Sequence, residues 1–249
     1  MPSNTFTYGD QVLDTAQLFG AVPGRYRDLG LGSLDTYLAM SHGHGAVGPL
    51  EQATWFDTDS HYRVPEAGPA TRFELADDTP VAEYLEAESP GVQTRPVPLG
   101  PVTFLLLGKG AAPLDPLLDC YAEPLGRFAD AGANWVQLDE PAFCVDRTGE
   151  ELSALRRAHD RLSRLSKRPK LLVAGYFGEF GPALPLLAGT AVDGIAVDLV
   201  AGPGAADQIP SVLGLRDKTL VAGVVDGRSI WRTDLSAVVS VCAAAGICR

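Results

Sequence analysis

Residues 135–140 read WVQLDE, Trp135-Val136-Gln137-Leu138-Asp139-Glu140, and Pro141 follows. An apolar run stops abruptly at two acids. The same event recurs downstream, where Asp198 closes GIAV and Asp226 closes LVAGVV. Runs rich in Val, Leu and Ile without polar alternation are the mark of parallel strands covered on both faces. On this basis strands are expected over Val97 to Leu107, Trp135 to Leu138, Lys170 to Tyr176, Gly194 to Leu199 and Thr219 to Val225, each buried on both faces. Strand–helix units of about 30 residues allow an open doubly wound sheet or a (β/α)8 barrel. No GxGxxG follows an expected strand and no GxxxxGK[ST] appears, so the phosphate-cradling loops of open sheets are missing. Acids gathered at strand ends suit the rim of a barrel mouth, where barrel enzymes place their chemistry. The expected fold is therefore α/β, a (β/α)8 barrel.

Two intervening helices have readable signals. Thr148 and Glu151 predict a capping box, followed by Leu152, Leu155, Leu162 and Leu165 on one face and Arg156, Arg157, Arg161, Arg164 and Lys167 on the other. Such a basic stripe reads first as a solvated outer face and only second as an anion site. Leu114, Leu117, Leu118, Tyr121, Leu125 and Phe128 mark a further helix ending near Gly132, with Pro124 inside it at a cost of about 3 kcal/mol or a kink.

The chain has 249 residues, of which 46% are hydrophobic and 20% charged, with Lys+Arg 20 against Asp+Glu 31 and a formal charge of −11. That sign repels phosphate backbones and anionic lipid surfaces, which argues against nucleic-acid or membrane partners. Glu51 to Ser89 alone holds ten acids against Arg63 and Arg72 and is expected to be an exposed acidic surface. No run of about 18 apolar residues exists, and the first residues lack the basic and apolar regions of a secretory signal, so a cytoplasmic location is expected. Cys120, Cys144, Cys242 and Cys248 form no CxxC pair and are expected to be buried thiols. Scattered Gly and Pro favour one domain over 1–249.

Candidate chemistry is sparse. Adjacent Asp139 and Glu140 suggest a carboxylate pair, but neighbours on a strand face opposite ways, so one looks into the mouth; Pro141 predicts an extended Glu140. His61, in WFDTDSHYRVP, is a general base or a hydrogen-bonded filler, and the absence of a partnering Ser, Cys or metal cluster favours the filler. His42 and His44 in SHGHG lack a third ligand. Asp226 and Arg228 form either a local ion pair or a fork for a carboxylate.

Seven segments in order resemble one family: TYGDQVLDTA (Thr7 to Ala16), WFDTDSHYRVPE (Trp55 to Glu66), PVPLGPVTFLLLGK (Pro96 to Lys109), ADAGANWVQLDEPA (Ala129 to Ala142), AGYFG (Ala174 to Gly178), VDLVAG (Val197 to Gly202) and VAGVVDGRSIWRTDL (Val221 to Leu235). Over about residues 3–235 the chain is similar to the N-terminal barrel of cobalamin-independent methionine synthase. The resemblance implies a (β/α)8 barrel that is incomplete here, lacking the first strand. The family moves a methyl group from 5-methyltetrahydropteroyltriglutamate to homocysteine, and its catalytic zinc is held by the C-terminal barrel.

The resemblance carries departures as well. The zinc-bearing His-x-Cys of the catalytic half falls by internal duplication near Ala174 to Tyr176, which offer no zinc donors, so no cofactor is expected in this chain. Asp139 keeps the substrate-contacting acid of the DEP motif, whereas Val145 replaces the folate-contacting Glu. Thr54 stands where a Lys would hold the polyglutamate tail, and Glu51 and Asp57 would repel that tail, so folate polyglutamate binding should be weak or absent. The resemblance thus implies a chain inactive alone in methyl transfer, with a complementary C-terminal barrel as partner. The alternative is a non-catalytic folate or amino-acid binding module that uses the rim residues Asp139, Asp198, Asp226 and Arg228; the substrate-binding candidates are Thr54, Asp57, His61, Asp139, Glu140, Asp226 and Arg228.

Overall fold

The structure is a computed structural model that describes residues 2–3 and 7–247. Its frame is a parallel sheet of β3 (Trp135–Asp139), β4 (Lys170–Ala174), β5 (Gly194–Asp198) and β6 (Thr219–Gly223), in that order. Val136 pairs with Leu171, Val173 with Ile195, and Ile195 with Leu220. Parallel pairing continues on the other side of β3, where Gln137 N–H donates to Pro96 O at 2.9 Å and Asp139 N–H to Pro98 O at 3.1 Å. Beyond that, Ser3 N–H reaches Arg95 O at 3.1 Å. Spatial order therefore follows chain order with no reversal, which is the winding of a barrel and excludes a doubly wound sheet. The fold is α/β, an arc of an incomplete (β/α)8 barrel.

Helices α6 (Leu114–Asp130), α7 (Gly149–Ser163), α8 (Ala183–Ala188) and α9 (Ala205–Gln208) lie on the connections between successive strands. The capping box of α7 forms as expected, with Thr148 and Glu151 each bonding the other's backbone. Leu155 and Leu162 are buried, and Leu152 and Leu165 half-buried. The basic stripe of α7 faces acids rather than a ligand: Arg157 and Arg161 meet Asp115, Arg161 also meets Asp119, Arg164 meets Asp160, and Lys167 meets Asp130. Pairs this exposed contribute about 0–1 kcal/mol each. Pro124 lies within α6 without ending it, its ring buried beside Tyr121, Leu125 and Phe128.

Before the sheet come α1 (Gln11–Leu18), α2 (Gly24–Arg27), α3 (Ser33–His42), the hairpin of β1 (Gln52–Thr54) and β2 (His61–Arg63), and α4 (Thr79–Glu88). Leu13, Tyr26, Tyr37, Met40 and Leu50 form a satellite core there. Most of the Glu51 to Ser89 acids are exposed. Among the described residues no helix is long and apolar enough to cross a membrane.

The structure corrects several expectations. Of Val97 to Leu107, only the segment before Gly100 pairs with β3, and Pro101–Leu107 is a helix, α5. A short apolar run such as VTFLLL fits either state, but Pro101 suits the first helical position, where its missing N–H has no partner to lose. The expected strands from 170, 194 and 219 end at Ala174, Asp198 and Gly223. Burial on both faces fails for β6, whose residues alternate exposed and half-buried, because among the described residues it pairs on one edge only. Cys120 and Cys242 are buried as expected, Cys144 is only half-buried, and Cys248 lies outside the described residues.

Candidate functional site

Strand alternation sets the site. Val136 and Leu138 point from β3 into the apolar layer, while Gln137 and Asp139 point to the barrel interior. Asp139 is buried and accepts a 2.6 Å hydrogen bond from Gln137 Nε2. The Tyr176 hydroxyl, just past β4, also bonds Asp139, and it links on to the Gln11 side chain of α1. Burial pushes the Asp139 carboxyl up to about 6, with Gln137, Tyr176 and the charge of Arg95 pulling the other way. Burial likewise raises the Tyr176 hydroxyl. An acid poised near neutrality at a strand end is the kind of group that binds or exchanges protons.

Glu140 has a different task. It is fully buried and turned toward α5, where its carboxylate accepts from Val102 N–H at 3.3 Å and Thr103 N–H at 2.7 Å. His159 Nε2 of α7 lies 3.0 Å away. An acid at a helix N-terminus satisfies amides that have no partner within the helix. Gly100 makes room for it, since a Cβ there would stand 2.3 Å from Glu140 Cδ. The extended backbone expected before Pro141 is not adopted: Glu140 has ψ of 52° while its N–H donates to Ala174 O at 2.8 Å.

At the rim, Thr54 and His61 face each other across the β1–β2 hairpin, both exposed. The local Asp226–Arg228 ion pair does not form. Asp226 instead accepts the Arg228 backbone N–H at 2.9 Å, and the guanidinium crosses the mouth to the hairpin turn, where it meets Asp57 Oδ2 at 3.1 Å and Asp57 O at 2.6 Å. Arg228 also lies over the Phe177 ring, 4.8 Å from its centroid. The rings of Phe177 and Phe56 are 6.2 Å apart, and these two are the described non-glycine residues with left-handed backbones, at φ of 70° and 46°. Strain of this kind persists where surrounding contacts hold it; here Asp198 accepts Phe177 N–H at 3.0 Å.

The structure thus joins Asp57 to Arg228, sets His61 at the edge of the interior cavity, and keeps Asp139 and Glu140 on separate networks. Among the described residues no hydrogen bond or ion pair links His61 to Asp139. The interior cavity, about 490 Å³, is lined by Asp10, Asp14, Trp55, His61, Arg95 and Gln137, among others. Sequence reading missed Arg95, Gln137, Tyr176, Asp10 and Asp14. Gln137 was findable, two residues before Asp139 on the same strand face, and Asp10 by its N-cap position ahead of α1.

A parallel arc wound in chain order, with acids at its strand ends, defines the class as a βα-barrel protein. The profile of the cobalamin-independent synthase, N-terminal domain, matches residues 1–246. A 5-methyltetrahydropteroyltriglutamate–homocysteine methyltransferase of Rhodococcus jostii is 51% identical over 247 residues, covering 96% of this chain and 32% of that protein. Its counterpart in Streptomyces coelicolor is 49% identical, over 94% of this chain and 32% of that protein. Two solved structures share the fold. A putative vitamin-B12 independent methionine synthase of Listeria monocytogenes aligns with TM-score 0.58 at 14% identity, over 74% of this chain and 62% of that one. A B12-independent methionine synthase of a Shewanella species, in complex with selenomethionine, aligns with TM-score 0.56 at 16% identity, over 75% of this chain and 60% of that one. The chain belongs to the N-terminal domain family of cobalamin-independent methionine synthases, and it spans 32% of the length of those curated relatives.

Proposed function

We propose that residues 1–249 form one barrel domain serving methyl transfer from 5-methyltetrahydropteroyltriglutamate to homocysteine, inactive alone and completed in the cytoplasm by a zinc-bearing C-terminal barrel. The carrying observation is the donor chemistry at the end of β4. Family resemblance puts the zinc site of the catalytic half at positions equivalent to Ala174, Gly175 and Tyr176. Here Gly175 packs against Cys144 and Phe180, with an added Cβ only 2.7 Å from Cys144 Sγ. The Tyr176 hydroxyl is committed to Asp139 and Gln11. Burial pushes the neighbouring Cys144 thiol up to about 12, and its sulfur is packed against Gly175 instead of facing a second nitrogen or sulfur donor from Ala174 to Tyr176. This group does not fit a zinc ion.

The folate tail fares no better. Thr54 offers a hydroxyl rather than a cation, and Arg228, which reaches the turn of the same hairpin, is already paired with Asp57. Weak or absent polyglutamate binding follows from a surface that is mainly acidic between Glu51 and Ser89. Mixing the chain with a separately expressed zinc barrel and assaying homocysteine methylation tests the reading. Activity in the mixture and none with the chain alone is the expected result; methionine made by the chain unaided, or no complex and no activity at any ratio, overturns it.

A further inference from the structure

Two half-satisfied charges share the interior cavity. Arg95 contributes Nε, which is shielded from solvent and has no hydrogen-bond partner. The acid whose charge it most visibly affects, Asp139, is already bonded to Gln137 and Tyr176. A buried guanidinium N–H without an acceptor is costly in the empty site, and the forked guanidinium fits a carboxylate. Across the cavity, Asp14 of α1 accepts from Thr7 Oγ1 at 2.9 Å and from the Tyr37 hydroxyl at 2.8 Å, both through Oδ1. Among the described residues its Oδ2 takes no hydrogen bond, and burial raises its carboxyl, as expected for an acid that lacks a cation. Asp10 differs, because both its oxygens are filled by the amides of Val12, Leu13 and Arg63. Trp55 and Tyr62 supply an apolar wall. The volume, about 490 Å³, lies in the range of small-molecule sites.

We propose that this cavity binds a free α-amino acid as its zwitterion, the carboxylate on Arg95, the ammonium on Asp14 Oδ2 and an apolar side chain against Trp55 and Tyr62. Arg95 and the open oxygen of Asp14 match the two opposite charges of a zwitterion, while the Asp10 carboxylate is held by three backbone amides. A polyanion would meet Asp10 and Asp14 along with Arg95. The inference is independent of methyl transfer: it concerns ligand binding by the chain alone, so failure of the two-polypeptide assay leaves it standing and its own failure leaves that assay unaffected.

The test is isothermal titration calorimetry on the full chain with L-leucine, L-methionine and L-phenylalanine, alongside isopentylamine and 4-methylpentanoate, which each lack one charged group of leucine. Saturable binding of at least one amino acid is expected, with Arg95→Gln and Asp14→Asn each weakening it by about ten-fold or more, and Arg157→Gln on the outer face of α7 leaving it unchanged. For leucine, the amine and the acid should each bind about ten-fold more weakly or not at all. No saturable binding of any amino acid up to about 10 mM, or single-charge analogues that bind as tightly as leucine, overturns the proposal. If Arg95→Gln fails to fold, the analogue series on the unmodified chain decides the matter. Equal losses in Arg157→Gln and Arg95→Gln also overturn it.

Discussion

Strands β3 and β6 are both short and apolar, yet they live differently. β3 has sheet neighbours on both sides and helices over one face, and Val136 and Leu138 are fully buried. β6 pairs with β5 alone among the described residues, and Val221 is exposed. Their helices follow suit. α7 buries Leu155 and Leu162 against the sheet, whereas α10 (Leu235–Ala244) is apolar nearly throughout, buries Cys242, and leaves Leu235 and Val239 in the open. An apolar run specifies that a strand or helix forms; what covers it is decided by the neighbours that the chain places beside it.

The sharpest way to probe the β3 side is Glu140→Ala. It strips His159 and two α5 amides of their shared acceptor, and a loss of about 3–5 kcal/mol in urea unfolding is expected, as for a buried pair broken on one side. A loss below 1 kcal/mol by the same measurement breaks the view that α5 is held from β3.

Next is a matched pair of truncations. Leu155→Ala should cost about 2–5 kcal/mol through the cavity it leaves, and Val239→Ala within about 0.5 kcal/mol, since Val239 is 61% exposed. Equal denaturation midpoints for the two variants erase the contrast between the covered and open sides.

Asp139 supplies a pH test. Its folded carboxyl is raised from 3.8 to about 6, so the folded state holds the proton more tightly than the unfolded chain. Its contribution is fully present below about pH 3.8 and is lost as pH rises toward about 6, by roughly 3 kcal/mol at most. Asp139→Asn should remove that loss, so the stability difference between variant and parent grows in the variant's favour across this window. A difference that is flat with pH contradicts the burial argument.

Among the polar changes, the smallest effect is expected from Arg228→Gln. The guanidinium and Asp57 are both exposed, and the change should cost under about 1 kcal/mol of stability, read as a small shift in melting temperature.

Much of the covered side was legible. Gln137 and Asp139 share a face by strand alternation, and the capping box of α7 is written in four residues. The first strand was misread beyond Gly100 because Val102 and Thr103 find their acceptor on Glu140, 38 and 37 residues away. Of the two readings of Arg228, the local pair with Asp226 does not form, and the carboxylate the guanidinium meets, Asp57, is 171 residues distant and so was not legible locally. Arg95 left no local signal: its role comes from which strands meet around the cavity. Local periodicity reports what a segment does with its own neighbours, and these side chains answer to other segments.

Gly100 and Glu140 occupy one volume between them. The space that any larger residue at 100 requires is filled by the carboxyl of 140. Substitution of this loop therefore has a fixed order: a side chain can be added at 100 only after position 140 has been shortened.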